Sequence, residues 1–114
     1  MNSDGHLKKA QQMYDDILRL KEDDDEKRAS SIVELSFLCA HHYCAYGCER
    51  RFQKHTDNHS QISKLLIGEG ADDMAEVFIA LESKRAGAAY GGKSNGGNIE
   101  EVSELLDIVI QWSL

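Results

Sequence analysis

Proline is missing altogether from this chain of 114 residues. Nothing therefore kinks a helix by removing a backbone donor, and glycine is confined to a few clusters, so the pattern reads as helices joined by short turns. Convincing strand alternation is missing as well. No apolar run is long enough to cross a bilayer, and no charged-then-apolar leader opens the chain; the expectation is a soluble, cytoplasmic protein with no membrane partner. A disulfide layout is also lacking: Cys39, Cys44 and Cys48 are an odd number within ten residues, which suits a reducing compartment. Positive charge is in short supply, with a net charge of −7. The summed field disfavours non-specific nucleic-acid binding, although a local basic site remains compatible with it.

What is present is helical periodicity. Leu7 to Leu20 carries Ala10, Met13, Tyr14, Ile17 and Leu20 at helical spacing. The acidic run KEDDDEK, Lys21 to Lys27, reads as a solvated turn. A longer helix is expected from about Glu26 to Phe52, its broad stripe of Ile32, Val33, Ser36, Phe37, Ala40, Tyr43, Cys44 and Gly47 implying neighbours on more than one side. Asn58, with Gln61 three residues on, caps a short third helix reaching Ile67, closed by Gly68 and Gly70. Met74, Val77, Phe78, Leu81, Arg85 and Ala88 share one face of a fourth helix. Asn98 with Glu101 starts a fifth, whose Ile99, Val102, Leu105, Leu106 and Val109 face inward. The expected fold is all-α: one domain over residues 1–114, an antiparallel up-and-down bundle of four to five helices with a core of about 7–112 and a Gly-rich loop at 87–98.

Two stretches invite a chemical reading. GAAYGGKS, Gly87 to Ser94, fits the phosphate-loop pattern. Such a loop joins a buried strand to a helix; here a helical pattern precedes it and Asn95-Gly96-Gly97 follows it, so the match reads as a turn. The second stretch, Cys39 to His59, holds three cysteines and four histidines, and Cys44, Cys48, His55 and His59 form a pair of pairs suggestive of zinc. Only six residues separate Cys48 from His55, fewer than a finger uses, and Cys39 and Cys44 read well as small core residues. No cofactor is expected and no metal is assigned, metal binding standing as one alternative.

Helix two with CAHHYCAY (Cys39–Tyr46), the His-led HSQISKLL (His59–Leu66), and LESKRAGAAYG (Leu81–Gly91), where Tyr90-Gly91 follows Arg85, together resemble the HEPN superfamily. The likeness spans roughly residues 7 to 112 and is nearest to its small stand-alone members. It implies a helical bundle, commonly dimeric, that in nuclease members cuts RNA with an arginine and a histidine four to six residues apart. This sequence has Ala89 and Tyr90 where that histidine would stand after Arg85. The resemblance therefore implies a non-catalytic or weakly active protein that binds RNA, a nucleotide or a cognate partner of toxin–antitoxin or defence type.

An alternative is a metal-independent endoribonuclease, since Arg50 and His55 meet the spacing elsewhere in the chain. Arg50 and His55 are the candidate catalytic pair, and Arg51, His59, Arg85 and Tyr90 the candidate ligand-binding residues. Lys54 and Lys64 extend the same basic patch. Arg85 also reads as a structural ion pair at the core edge. Leu38, Ala45 and Phe52 lie on a face of helix two that the core stripe does not use, which predicts a homodimer.

Overall fold

The computed structural model describes residues 2–22, 29–90 and 96–114, the side chains of 22, 29, 30, 59, 86–90 and 96–98 excepted. Its helices are α1 (Ser3–Glu22), α2 (Ala29–Phe52), α3 (His59–Gly68), α4 (Asp72–Tyr90) and α5 (Gly96–Ser113). No strand occurs among the described residues, and none of the helices is long and apolar enough to cross a membrane. Helix α4 carries the backbone through Phe78 to Tyr90, so helix stands where a phosphate loop requires a strand. Lys93 and Ser94 lie outside the described residues, as does most of the acidic run.

Side-chain contacts give the helix directions. His6 meets His42 and the Cys39 thiol meets the Ala10 carbonyl, so α1 and α2 run antiparallel. Arg85 reaches back to Glu34, making α4 antiparallel to α2, and Lys84 meets Glu101, making α5 antiparallel to α4. The four long helices thus alternate up and down, while α2 and α5 run parallel with their C-terminal ends together.

Helix α2 packs against each of the other four. It is buried on nearly every side for that reason, with Ile32, Val33, Phe37, Cys39, Ala40, Tyr43, Cys44, Ala45 and Cys48 all in the core. The row expected to remain free for a second copy is partly covered by this packing. Ala45 is 1% exposed, and Leu38 and Phe52 lie half-buried against the core. The expected dimer face therefore narrows to the half-exposed Leu38 and Phe52, Ala45 being taken up by the bundle's own core.

Glycine has one packing role that the geometry requires. A Cβ on Gly47 would come within 2.5 Å of the Trp112 ring and 3.1 Å of the Ser113 Cα, so the close approach of α2 and α5 depends on its absence. Asn58 caps α3 as its sequence suggests, accepting from the Ser60 N–H at 3.0 Å. Gly70, at φ +83°, supplies the left-handed turn between α3 and α4. Asn98, expected to cap α5, lies just inside it.

Candidate metal centre

Helix α1 opens with the Asn2 side chain accepting from the Gly5 N–H at 2.7 Å, the arrangement of an N-cap. His6 then falls four residues before Ala10 and eleven before Ile17, at the head of the buried stripe, and is only 1% exposed. At the far end of α2 the chain turns at Gln53, whose φ of 56° is a left-handed conformation uncommon outside glycine, asparagine and aspartate. This turn sends residues 54–58 back beside the start of α1. His55 and Asp57 thereby reach His6, while His41 and His42 approach it from α2.

The hydrogen bonds form one chain. His6 Nε2 lies 2.8 Å from Asp57 Oδ1, and His55 Nε2 lies 3.2 Å from Asp57 Oδ2. A carboxylate accepts, so both ring nitrogens donate. His6 Nδ1 sits 2.8 Å from His42 Nδ1, which requires one donor and one acceptor. His55 Nδ1 lies 3.3 Å from Glu49 Oε2. His55 therefore faces a carboxylate at each nitrogen and is suited to the imidazolium form; Glu49 first, and Asp57 next, raise its pKa. Burial lowers His6 in spite of Asp57. Burial, with the neighbouring His6 and Lys9, takes His42 down to about 4. Burial thus favours the neutral ring at His6 and His42, while the flanking carboxylates favour the charged ring at His55.

This arrangement resembles a metal centre whose protons hold the ion's place. One ligand atom from each of His6, His55 and Asp57 lies within 4.8 Å of the others. A common zinc-type ion sits about 2.1 Å from each donor, so its donors must stand about 3.5 Å apart. The required closure of about 1 Å is within reach of His55 and Asp57, whose side chains are 42% and 53% exposed. If both histidines ligate through Nε2, their Nδ1 atoms already have partners in His42 and Glu49. Such outer contacts fix ring orientation and tautomer in metal sites.

The residues singled out from sequence fall into four groups. His55 belongs to the cluster. Arg50 Nε donates to the Ser113 carbonyl at 3.1 Å, and Arg51 donates twice to the Trp112 carbonyl, at 3.0 and 2.8 Å, with its Cζ 4.8 Å from the Trp112 ring centroid. Both arginines thus satisfy the last carbonyls of α5. Arg85 donates to Glu34 Oε2 at 2.7 Å, with its Cζ 4.8 Å from the Phe37 ring centroid, in keeping with the ion-pair reading. Glu34 and Arg50 stand about 24 Å apart along α2 at its rise of 1.5 Å per residue, so Arg85 serves the opposite end of the molecule. The side chains of His59 and Tyr90 lie outside the description.

The thiols stay away from this chemistry. Cys39, Cys44 and Cys48 are fully buried in the core, and burial raises Cys39 to about 12 and Cys48 to about 11. Protonated core thiols are poor metal ligands. Sequence reasoning found His55 but passed over His6, Asp57, His42 and Glu49. A signal for His6 was present: it sits at the head of an apolar stripe where a large hydrophobe would be ordinary.

Beside the cluster runs a cleft of about 590 Å³ lined by Lys54, His55, Thr56, Gln61, Lys64 and Leu65. The fold and site define an all-helical protein with a histidine–carboxylate cluster at one end of its bundle. Set against protein-family models, curated proteins and solved structures, the chain finds no match.

Proposed function

We propose that this is a metal-binding helical protein that takes one divalent transition-metal ion, zinc in type, through His6, His55 and Asp57. The observation carrying the reading is the double engagement of both imidazoles: each points Nε2 at one carboxylate while its Nδ1 is held by another residue. Nitrogen and oxygen donors without thiolate suit zinc, iron, nickel or copper. Tag-free protein should bind one equivalent of zinc by elemental analysis after dialysis. Asp57→Asn keeps the exposed position polar and should weaken binding at least tenfold, within the range of a lost ligand or supporting contact. A protein that takes up no zinc, or an Asp57→Asn/His55→Ala double variant that binds it as well as the parent, would remove the proposal.

The HEPN-like reading, with binding of RNA, a nucleotide or a cognate partner, draws support from the order of the helices and the late position of Arg85 in α4. Its arginines are less accommodating. Arg50 and Arg85 each already commit Nε to an intramolecular acceptor, and Arg51 commits Nε and Nη2 to the Trp112 carbonyl, so a phosphate would share each guanidinium with that partner. His55, the base of the alternative endoribonuclease, is held between two carboxylates. RNA cleavage in EDTA that is lost in His55→Ala would favour the nuclease over the metal site.

A further inference from the structure

Helices α4 and α5 lie antiparallel, and each carries the same spacing along one flank. Asp73, Val77, Ala80 and Lys84 follow one another at steps of four, three and four residues, as do Glu101, Leu105, Ile108 and Trp112. Residues so spaced share one face of a helix. The ends of the two rows meet: Lys84 Nζ lies 2.9 Å from Glu101 Oε2, and Asp73 and Trp112 both line a cleft of about 420 Å³. The antiparallel register between those two meeting points sets Val77 against Ile108 and Ala80 against Leu105.

These apolar residues lie at the surface. Ile108 is 45% exposed and Val77, Ala80 and Leu105 are half-buried, whereas Leu81 and Leu106, one residue further round each helix, are buried. Among the described residues only α2 packs broadly against both α4 and α5. It does so from the core side, its Phe37 ring against the buried Phe78. The outer side of the seam thus has no described helix over it.

Charge says what would cover it. Asp73 and Glu76 on α4, with Glu101 and Glu104 on α5, border the seam, and all four are exposed. Lys84 is the one cation of the two rows and is taken by Glu101; α5 contains no lysine or arginine. Asp73, Glu76 and Glu104 have no basic partner among the described residues. A second copy would bring these carboxylates against their own kind, on molecules that each carry −7, so charge disfavours self-association through this face. A cationic partner complements the rim. A helix fits the seam, because its side-chain ridge seats in the groove between two others, and no sheet edge occurs among the described residues for a strand to extend. From Asp73 to Lys84 the groove runs about 16 Å at the helical rise, room for about three turns.

We propose that the α4–α5 seam docks a basic amphipathic helix of a partner protein. Its aliphatic side chains, at the same four-three-four spacing, enter the seam, and lysines or arginines on both flanks meet Asp73, Glu76, Glu101 and Glu104. The surface uses no residue of the metal centre.

The probe is a fluorescein-labelled synthetic peptide of about fifteen residues, with leucines at that spacing, lysines on both sides of them and alanine elsewhere. A scrambled peptide of the same composition is the control. Fluorescence anisotropy with the full chain should show saturable binding of the first, and binding of the second at least about tenfold weaker. Ile108→Ser, at an exposed position, should weaken binding about tenfold, and so should Glu76→Lys/Glu104→Lys at low salt. The charge pair keeps the test intact if the apolar change perturbs α5. Leu18→Ser removes an equally exposed side chain from α1 and should leave binding unchanged. Absence of saturation by about 1 mM peptide overturns the proposal. So does equal binding of the scrambled peptide, an affinity unchanged in Glu76→Lys/Glu104→Lys, or an equal loss in Leu18→Ser. Sedimentation of the peptide-free chain as a dimer that Ile108→Ser dissociates assigns the seam to a second copy and overturns it as well.

Discussion

A thiol buried among hydrocarbon side chains cannot ionise without placing its charge where nothing solvates it. Cys39, Cys44 and Cys48 are in this position, Cys39 donating to the Ala10 carbonyl at 3.3 Å. Their ordinary value is 9.0, whereas the fold holds Cys39 near 12 and Cys48 near 11. At pH 8 iodoacetamide should therefore leave the native protein unlabelled, and mass spectrometry should find three adducts once urea is added. Rapid labelling of the native protein would show that these side chains are not where they are described. The same shifts set a sign for pH. The unfolded thiols ionise first, so stability present below about pH 9 declines as pH rises toward 12. Two of these residues, Cys39 and Cys44, were legible as core from their place on or beside the apolar stripe of α2. The histidine cluster was legible only in part, because His6 and Asp57 are fifty-one residues apart and meet through a turn at Gln53, a residue type that does not announce a left-handed backbone.

Among the helices, α2 determines most of what the others do. Its expected span, about Glu26 to Phe52, ends where the helix ends, and the breadth of its stripe pointed to several neighbours. The stripe did not show that Leu38, Ala45 and Phe52 would also be covered in part, because periodicity identifies apolar faces without counting the helices that will fill them. Gly47 is where α2 and α5 come closest, with no room for a methyl group against Trp112. Alanine would normally favour a helix over glycine by about 0.5–1 kcal/mol. Against a ring contact of 2.5 Å, overpacking of about 1–3 kcal/mol prevails. Gly47→Ala should lower the urea midpoint and shift the emission of Trp112, the sole tryptophan. A midpoint equal to or above that of the parent would mean that α5 does not pack as described.

At the scale of the molecule, a long axis of 40 Å accommodates α2, whose 24 residues span about 36 Å. The candidate metal centre lies at one end of that axis and ties α1 to the segment between α2 and α3. An ion held there joins parts of the chain far apart in sequence, so it binds the folded state in preference to the unfolded one. Zinc at a hundred times its dissociation constant should add about 2.7 kcal/mol. For a chain of this size that corresponds to a rise of about 10 °C in Tm. Scanning calorimetry with and without zinc checks this, and an unchanged Tm in protein shown to hold the ion would mean that the ion sits elsewhere.

The parallel pairing of α2 with α5 has a practical corollary. Because the first turn of α1 and the last turn of α5 both lie at the C-terminal end of α2, an oligohistidine tail fused at either extremity would be delivered to the same pole as His6 and His55. Such a tail would compete there for any ion supplied, and an untagged preparation separates the protein's own appetite for metal from that of its handle.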